Sequence, residues 1–132
     1  MNIVVSDEQG RVPVTVFRIK GEIGANDYEQ LEAQAREAFE LGMRNLLLDL
    51  SEVTYISSAG LRALHSIFNM LRADSPGESD AAMSKGLRDG SFKSPHLKLL
   101  NPQRDALQAL TIAGYDMFLE IHHSRQDAIA SF

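Results

Sequence analysis

The chain has 132 residues, and neither cysteine nor tryptophan is among them. Without cysteine there are no disulfides, no thiolate metal clusters and no cysteine nucleophile, so stability has to come from a packed core. No apolar run approaches the roughly 18 uncharged residues that a membrane span needs. The start of the chain, MNIVVSDEQG, lacks a basic region followed by an apolar one. A cytoplasmic protein with no membrane insertion is therefore expected. Positive charge is in deficit: 13 Lys and Arg stand against 18 Asp and Glu, a net charge of -5, which disfavours nucleic acid as a partner. The chain also lacks Gly-x-Gly-x-x-Gly, Gly-Lys-Ser/Thr and Gly-x-Ser-x-Gly, so no cofactor, no catalytic residue and no enzyme activity are expected. What is present, 44% hydrophobic and 23% charged residues, is the composition of one globular domain spanning residues 1–132.

Residues 12–20 (VPVTVFRIK) alternate apolar and polar side chains and are rich in β-branched types, as a strand with one face on a core should be. Residues 3–5 are a shorter candidate strand, with Gln9, Gly10 and Arg11 turning it into a hairpin. Asn26 is expected to cap the next helix, Glu29 reaching back as a capping box, with Tyr28, Leu31, Ala35 and Ala38 or Phe39 as its apolar stripe. Its other face, Glu29, Glu32, Arg36, Glu37 and Glu40, is mostly acidic and reads as solvated. Gly42 ends that helix, and residues 46–50 (LLLDL) read as a central buried strand. Leu61, Leu64, Ile67, Phe68 and Leu71 mark a second amphipathic helix ending near Ala73.

Residues 74–95 are dense in Ser, Gly, Asp and Pro without periodicity, and longer than the ~2 to 6 residues of a usual αβ connection. A mobile insertion loop is expected there. Residues 97–100 form another strand. Asn101 and Pro102 then start a helix with Leu107, Leu110 and Ile112 as its apolar face and Gly114 as its stop. Residues 117–121 read as a last strand, and Ser124 with Asp127 caps a closing helix that runs to Phe132. The order β-β-α-β-α-β-α-β-α predicts an α/β fold with a central mixed, largely parallel sheet and helices packed against it.

The most informative stretch is LDLSEVTYISSAGLRAL, residues 48–64, in which a buried strand delivers Ser57, Ser58, Ala59 and Gly60 to a helix N-terminus. If the helix starts at Ser58, Ser57 is its N-cap, with its hydroxyl committed to the N–H of Ala59 or Gly60. That leaves the Ser58 hydroxyl free at the positive end of a helix dipole, with Arg62 one turn further on. Gly60 is expected to serve packing and close approach rather than a positive φ, so that Gly60→Ala should be mild for stability and harsher for binding.

The same stretch resembles the signature of STAS domains of the anti-sigma factor antagonist type, where a strand ending in Asp-Leu-Ser leads to a Ser, a small residue, Gly and Leu. Gly21, Glu22 and Ile23 extend the likeness, as does the element order over nearly the whole chain. Departures are Ser57, where many phosphorylated members carry an acid, Gly24, where an Asp often stands, and the additional residues 74–95. The resemblance implies a single STAS domain whose phosphoacceptor maps onto Ser58, with Ser57, Ala59, Gly60 and Arg62 in the docking surface. It also implies a partner-switching regulator of transcription. An anti-sigma factor of the histidine-kinase-like ATPase fold would bind it, release a sigma factor, and act as the serine kinase, and a serine phosphatase would reset the switch. The alternative is a constitutive STAS scaffold, or an accessory subunit of a lipid-transport ATPase or stress-sensing complex.

Other polar residues signal less. His122 and His123 are adjacent on a strand, so they point to opposite faces, and no third ligand stands at metal spacing. His65 flanks the apolar stripe of its helix. Asp49, on a buried strand, lacks the paired acids that an acceptor aspartate of the response-regulator type would need.

Overall fold

The computed structural model describes residues 1–73 and 92–132. The chain opens with a hairpin of β1 (Asn2–Gln9) and β2 (Pro13–Ile23), antiparallel from Asn2 opposite Lys20 to Gln9 opposite Pro13. It continues through α1 (Tyr28–Glu40), β3 (Leu46–Ile56), α2 (Ser58–Ala73), β4 (Leu97–Leu100) and α3 (Arg104–Ile112). A 3-10 turn (Tyr115–Met117), β5 (Ile121–His122) and α4 (Arg125–Ala130) complete it. The strands lie in the order β1-β2-β3-β4-β5, and every pairing after the hairpin is parallel. This is the mixed, largely parallel α/β fold that the pattern predicts.

Strand alternation divides the apolar residues between two faces. Phe17 and Ile19 of β2, Leu46, Leu48 and Leu50 of β3, and Leu97 and Leu99 of β4 join one cluster. Leu31 and Ala35 of α1, Leu64, Ile67 and Leu71 of α2, and Ala106 and Leu110 of α3 close over it. The intervening residues Val14, Val16, Leu47 and Leu100 turn to the other face, where Ala128 of α4 covers them. β3 pairs with β4 only as far as Asp49, but with β2 as far as Ile56. Its last residues thus project beyond β4 as a ribbon that α3 flanks, with Gln103 Nε2 donating to the Ser51 carbonyl at 2.8 Å.

Several local expectations are corrected. Asn26 does not cap α1: Asp27 holds the cap position without a side-chain cap bond, and its Oδ2 accepts from Gly24 N at 2.8 Å. The chain enters α1 through a turn closed by Asp27 N–H and the Gly24 carbonyl, which leaves Asn26 inside that turn. Asn101 does not cap α3 either, because its N–H still donates to the His122 carbonyl and its φ is 49°. The helix therefore starts at Arg104, and Ile112, two residues and about 200° from buried Leu110, is 78% exposed rather than part of the apolar face. The strand expected over 117–121 is reduced to two residues, since the preceding segment coils so that Phe118 and Tyr115 pack with Phe68.

Of the expected insertion, residues 74–91 lie outside the described residues, and of its last four residues Phe92 and Ser94 pack on the core while Lys93 and Pro95 are exposed. The Phe92 ring meets Phe68 edge-on at 6.1 Å, and buried Ser94 donates its N–H to the Phe118 carbonyl.

Candidate functional site

The projecting end of the β2–β3 ribbon carries the start of α2. Ser57 N–H donates to the Ile23 carbonyl at 2.9 Å, extending the β2–β3 ladder by one bond, and the helix begins at Ser58. The Ser57 hydroxyl accepts from Gly60 N–H at 3.1 Å, and the Ser57 carbonyl accepts from Leu61 N–H at 2.9 Å. Ser57 is thus the N-cap that the sequence predicts, with one of the helix's orphan donors satisfied. It is half-buried, whereas Ser58 is exposed.

Gly60 holds this end of the helix against the sheet. A Cβ built there would lie 2.7 Å from the Ile23 carbonyl oxygen, 2.8 Å from Ile23 Cγ2 and 3.0 Å from Ile56 Cγ2. Its φ is not positive, as expected, but the neighbour at closest range is backbone that cannot swing aside. The expectation of a mild Gly60→Ala is therefore wrong. Ala59 is also buried, at 5% exposure. Of the four expected docking residues, Arg62 alone is exposed and Ser57 is partly so, while Ala59 and Gly60 shape the surface from beneath.

Electrostatically this helix start stands apart. Among the described helices α1, α3 and α4 carry Glu29, Asp105 and Asp127 in their first turns, whereas α2 has no acid there. Its partial positive charge is thus not offset by an acid of its own first turn. Arg62 follows Ser58 by four residues, the spacing at which helix side chains meet. Across from it, Tyr28 Oη donates to Glu29 Oε1 at 3.1 Å, and that bond with the carboxylate's charge raises the phenol pKa. Arg62 opposes the shift, which places its guanidinium within electrostatic reach of the start of α1. Tyr115 clamps the first turn of α2 from the other side, its hydroxyl donating to the Leu61 carbonyl at 2.8 Å. Partial burial raises the pKa of that phenol too.

A STAS domain family model matches residues 4–75. The chain belongs to the STAS family. BtrV of Bordetella bronchiseptica, provisionally designated an anti-sigma factor antagonist, is 29% identical over 114 residues, covering 86% of this chain and 82% of BtrV. The crystal structure of an anti-sigma factor antagonist from Mycobacterium paratuberculosis superimposes with a TM-score of 0.72 at 19% identity, covering 98% of this chain and 92% of the other. SpoIIAA of Bacillus in its phosphorylated form gives a TM-score of 0.62 at 16% identity, with 96% of each chain covered. At these identities the two structural likenesses speak for the fold.

His122, His65 and Asp49 make contacts that fit structural roles. His122 Nε2 lies 3.1 Å from Glu120 Oε1, and no cluster of three metal-ligating side chains occurs among the described residues. His65 stacks on Phe68 at 6.1 Å. Asp49 Oδ1 accepts from the Ser51 hydroxyl at 2.7 Å and the Ser51 N–H at 3.0 Å, bracing β3 where its register with β2 shifts. No described helix is long and apolar enough to cross a membrane. Sequence reasoning missed Lys98, which lies inside an apolar run and is 3% exposed. Its ammonium pairs with Glu120 Oε2 at 3.1 Å and donates to the Ser131 carbonyl and hydroxyl at 2.8 and 3.0 Å. The exposure of Tyr55 and Ile112, 50% and 78%, was likewise not legible in the periodic pattern.

Proposed function

We propose that this STAS domain is an anti-sigma factor antagonist switched by phosphorylation of Ser58. The observation that carries the reading is the division of labour between two adjacent serines: the Ser57 hydroxyl is engaged as the α2 cap, while Ser58 is exposed in a first turn with no acid. The unmodified protein binds a kinase-like anti-sigma factor of the histidine-kinase ATPase fold and so frees a sigma factor. That partner transfers the γ-phosphoryl group of ATP to Ser58 Oγ; the hydroxyl proton leaves and ADP departs. The new group brings about -1.5 to -2 of charge to the positive end of α2, within reach of Arg62. A charge set in the docking surface must be desolvated or meet like charge, so the partner releases the phosphorylated form. A serine phosphatase returns the hydroxyl by hydrolysis. The similarity of the chain to BtrV and the phosphorylated form of SpoIIAA, a protein of the same fold, support the reading.

The test uses purified histidine-kinase-like ATPases of the source organism. One of them binds the wild type, phosphorylates it once at Ser58, binds Ser58→Ala with unchanged affinity and binds Ser58→Asp at least tenfold more weakly. Equal affinity for Ser58→Ala and Ser58→Asp removes the switch and leaves a constitutive scaffold.

A further inference from the structure

Beside the α2 start runs a groove of about 280 Å³ formed by Tyr55 at the end of β3 and Asp105, Gln108, Ala109 and Ile112 along α3. Tyr55 is 50% exposed and Ile112 78%, both large apolar side chains left in water on one side of the site. Scattered exposed hydrophobics are ordinary, but these two line the same groove. Two of the groove's lining residues lie a short stretch of chain from the α2 start. Tyr55 precedes Ser58 by three residues, at most about 11 Å of extended chain. Tyr115, three residues beyond Ile112, is hydrogen-bonded to Leu61 in the first turn of α2.

We propose that this groove is the anchor of the docking surface, taking a large apolar side chain of the kinase-like anti-sigma factor with a basic residue beside it facing Asp105. The proposal rests on the reading of Ser58 given above. A protein that brings ATP to the Ser58 hydroxyl must cover its surroundings, and a standard interface buries about 800 Å² per partner, a disc about 16 Å in radius. Tyr55 falls inside that radius. Tyrosine in a partly formed cleft is a favoured hot-spot residue, because it contributes area with few rotatable bonds. The basic neighbour follows from the Asp105 carboxylate at the groove wall. The groove holds the partner through contacts that do not involve the acceptor hydroxyl, and Ser58 supplies the release.

The experiment measures Kd and phosphorylation kinetics for Tyr55→Ser, Ile112→Ser and Ile112→Leu with the same purified ATPases. Both serine variants should bind about tenfold more weakly or worse, with KM raised to match and kcat unchanged, and Ile112→Leu should restore wild-type binding. The thermal midpoint of Ile112→Ser should stay at the wild-type value, since that side chain is largely in water, and that of Tyr55→Ser should fall only slightly, since its ring is half covered. If Ser58 is phosphorylated while the serine variants keep wild-type Kd and KM, the anchor is wrong and the switch stands. If the phosphate maps elsewhere but the serine variants still lose affinity, the anchor stands and the Ser58 reading falls. Should no ATPase of the panel bind the wild type, both are overturned.

Discussion

Helices α2 and α4 begin alike and end up in different roles. Each opens with a serine cap: Ser57 accepts from Gly60 N–H, and Ser124 from Asp127 N–H at 3.3 Å. Each sits on the sheet through a glycine contact, since a Cβ at Gly10 would lie 2.7 Å from the Ile129 carbonyl, as one at Gly60 would from that of Ile23. After the cap they diverge. α4 carries Asp127 in its first turn, is six residues long, and is tied down by Arg125 to Glu8 at 2.8 Å and by Lys98 to Ser131. α2 has sixteen residues, seven of them buried, and leaves its first turn without an acid and Ser58 in solvent. A helix whose C-terminal turns are held by the core can leave its dipole free for a ligand, whereas a short peripheral helix has to neutralise its own.

The largest expected effect tests the two glycines. Gly60→Ala should cost about 3 kcal/mol in urea denaturation at unchanged m-value, because β2 backbone blocks the new methyl and the long helix cannot move as a unit. Gly10→Ala should cost about 1 kcal/mol, because α4 can shift outward. Equal losses would show α4 to be as firmly fixed as α2. Next, Lys98→Ala should remove about 2 kcal/mol and speed amide exchange in α4 while leaving α2 protected. Uniform acceleration would mean that α4 unfolds only with the whole domain.

The caps themselves should matter less. Ser57→Ala should cost about 1 kcal/mol and Ser124→Ala about half of that, since a six-residue helix offers little cooperative structure to lose. The smallest effect is at alkaline pH, where α2 has a clamp that α4 lacks. Burial raises the Tyr115 pKa above its ordinary value near 10, so the folded state keeps a proton that the unfolded state loses. Its contribution is complete below the unfolded pKa and is lost as pH rises through the folded one. The stability curve of Tyr115→Phe should be flatter than wild type above pH 10, and parallel curves would contradict the assignment.

The sequence exposed those parts of this arrangement that rest on local chemistry. Apolar alternation located β2, an almost unbroken apolar run located the first half of β3, helical spacing located α2, and the serine pair specified which hydroxyl caps. What it could not show depends on neighbours distant in the chain. The steric limit at Gly60 comes from the Ile23 carbonyl, 37 positions away, and Lys98 is buried because Glu120 and Ser131 are brought to it. Asn101 has the composition of a cap but is still engaged by β5, so α3 starts later, and Ile112 is exposed because it lies about 200° around the helix from buried Leu110.

The most direct measurement of the central claim is phosphopeptide mapping after incubation of the wild type and Ser57→Ala with the cognate kinase-like ATPase and ATP. In both proteins a single phosphate should be found on Ser58, because freeing or removing the cap does not change which hydroxyl faces solvent. Phosphate on Ser57 or Thr54 of the wild type would contradict the division between a serine that holds the helix and a serine that takes the charge.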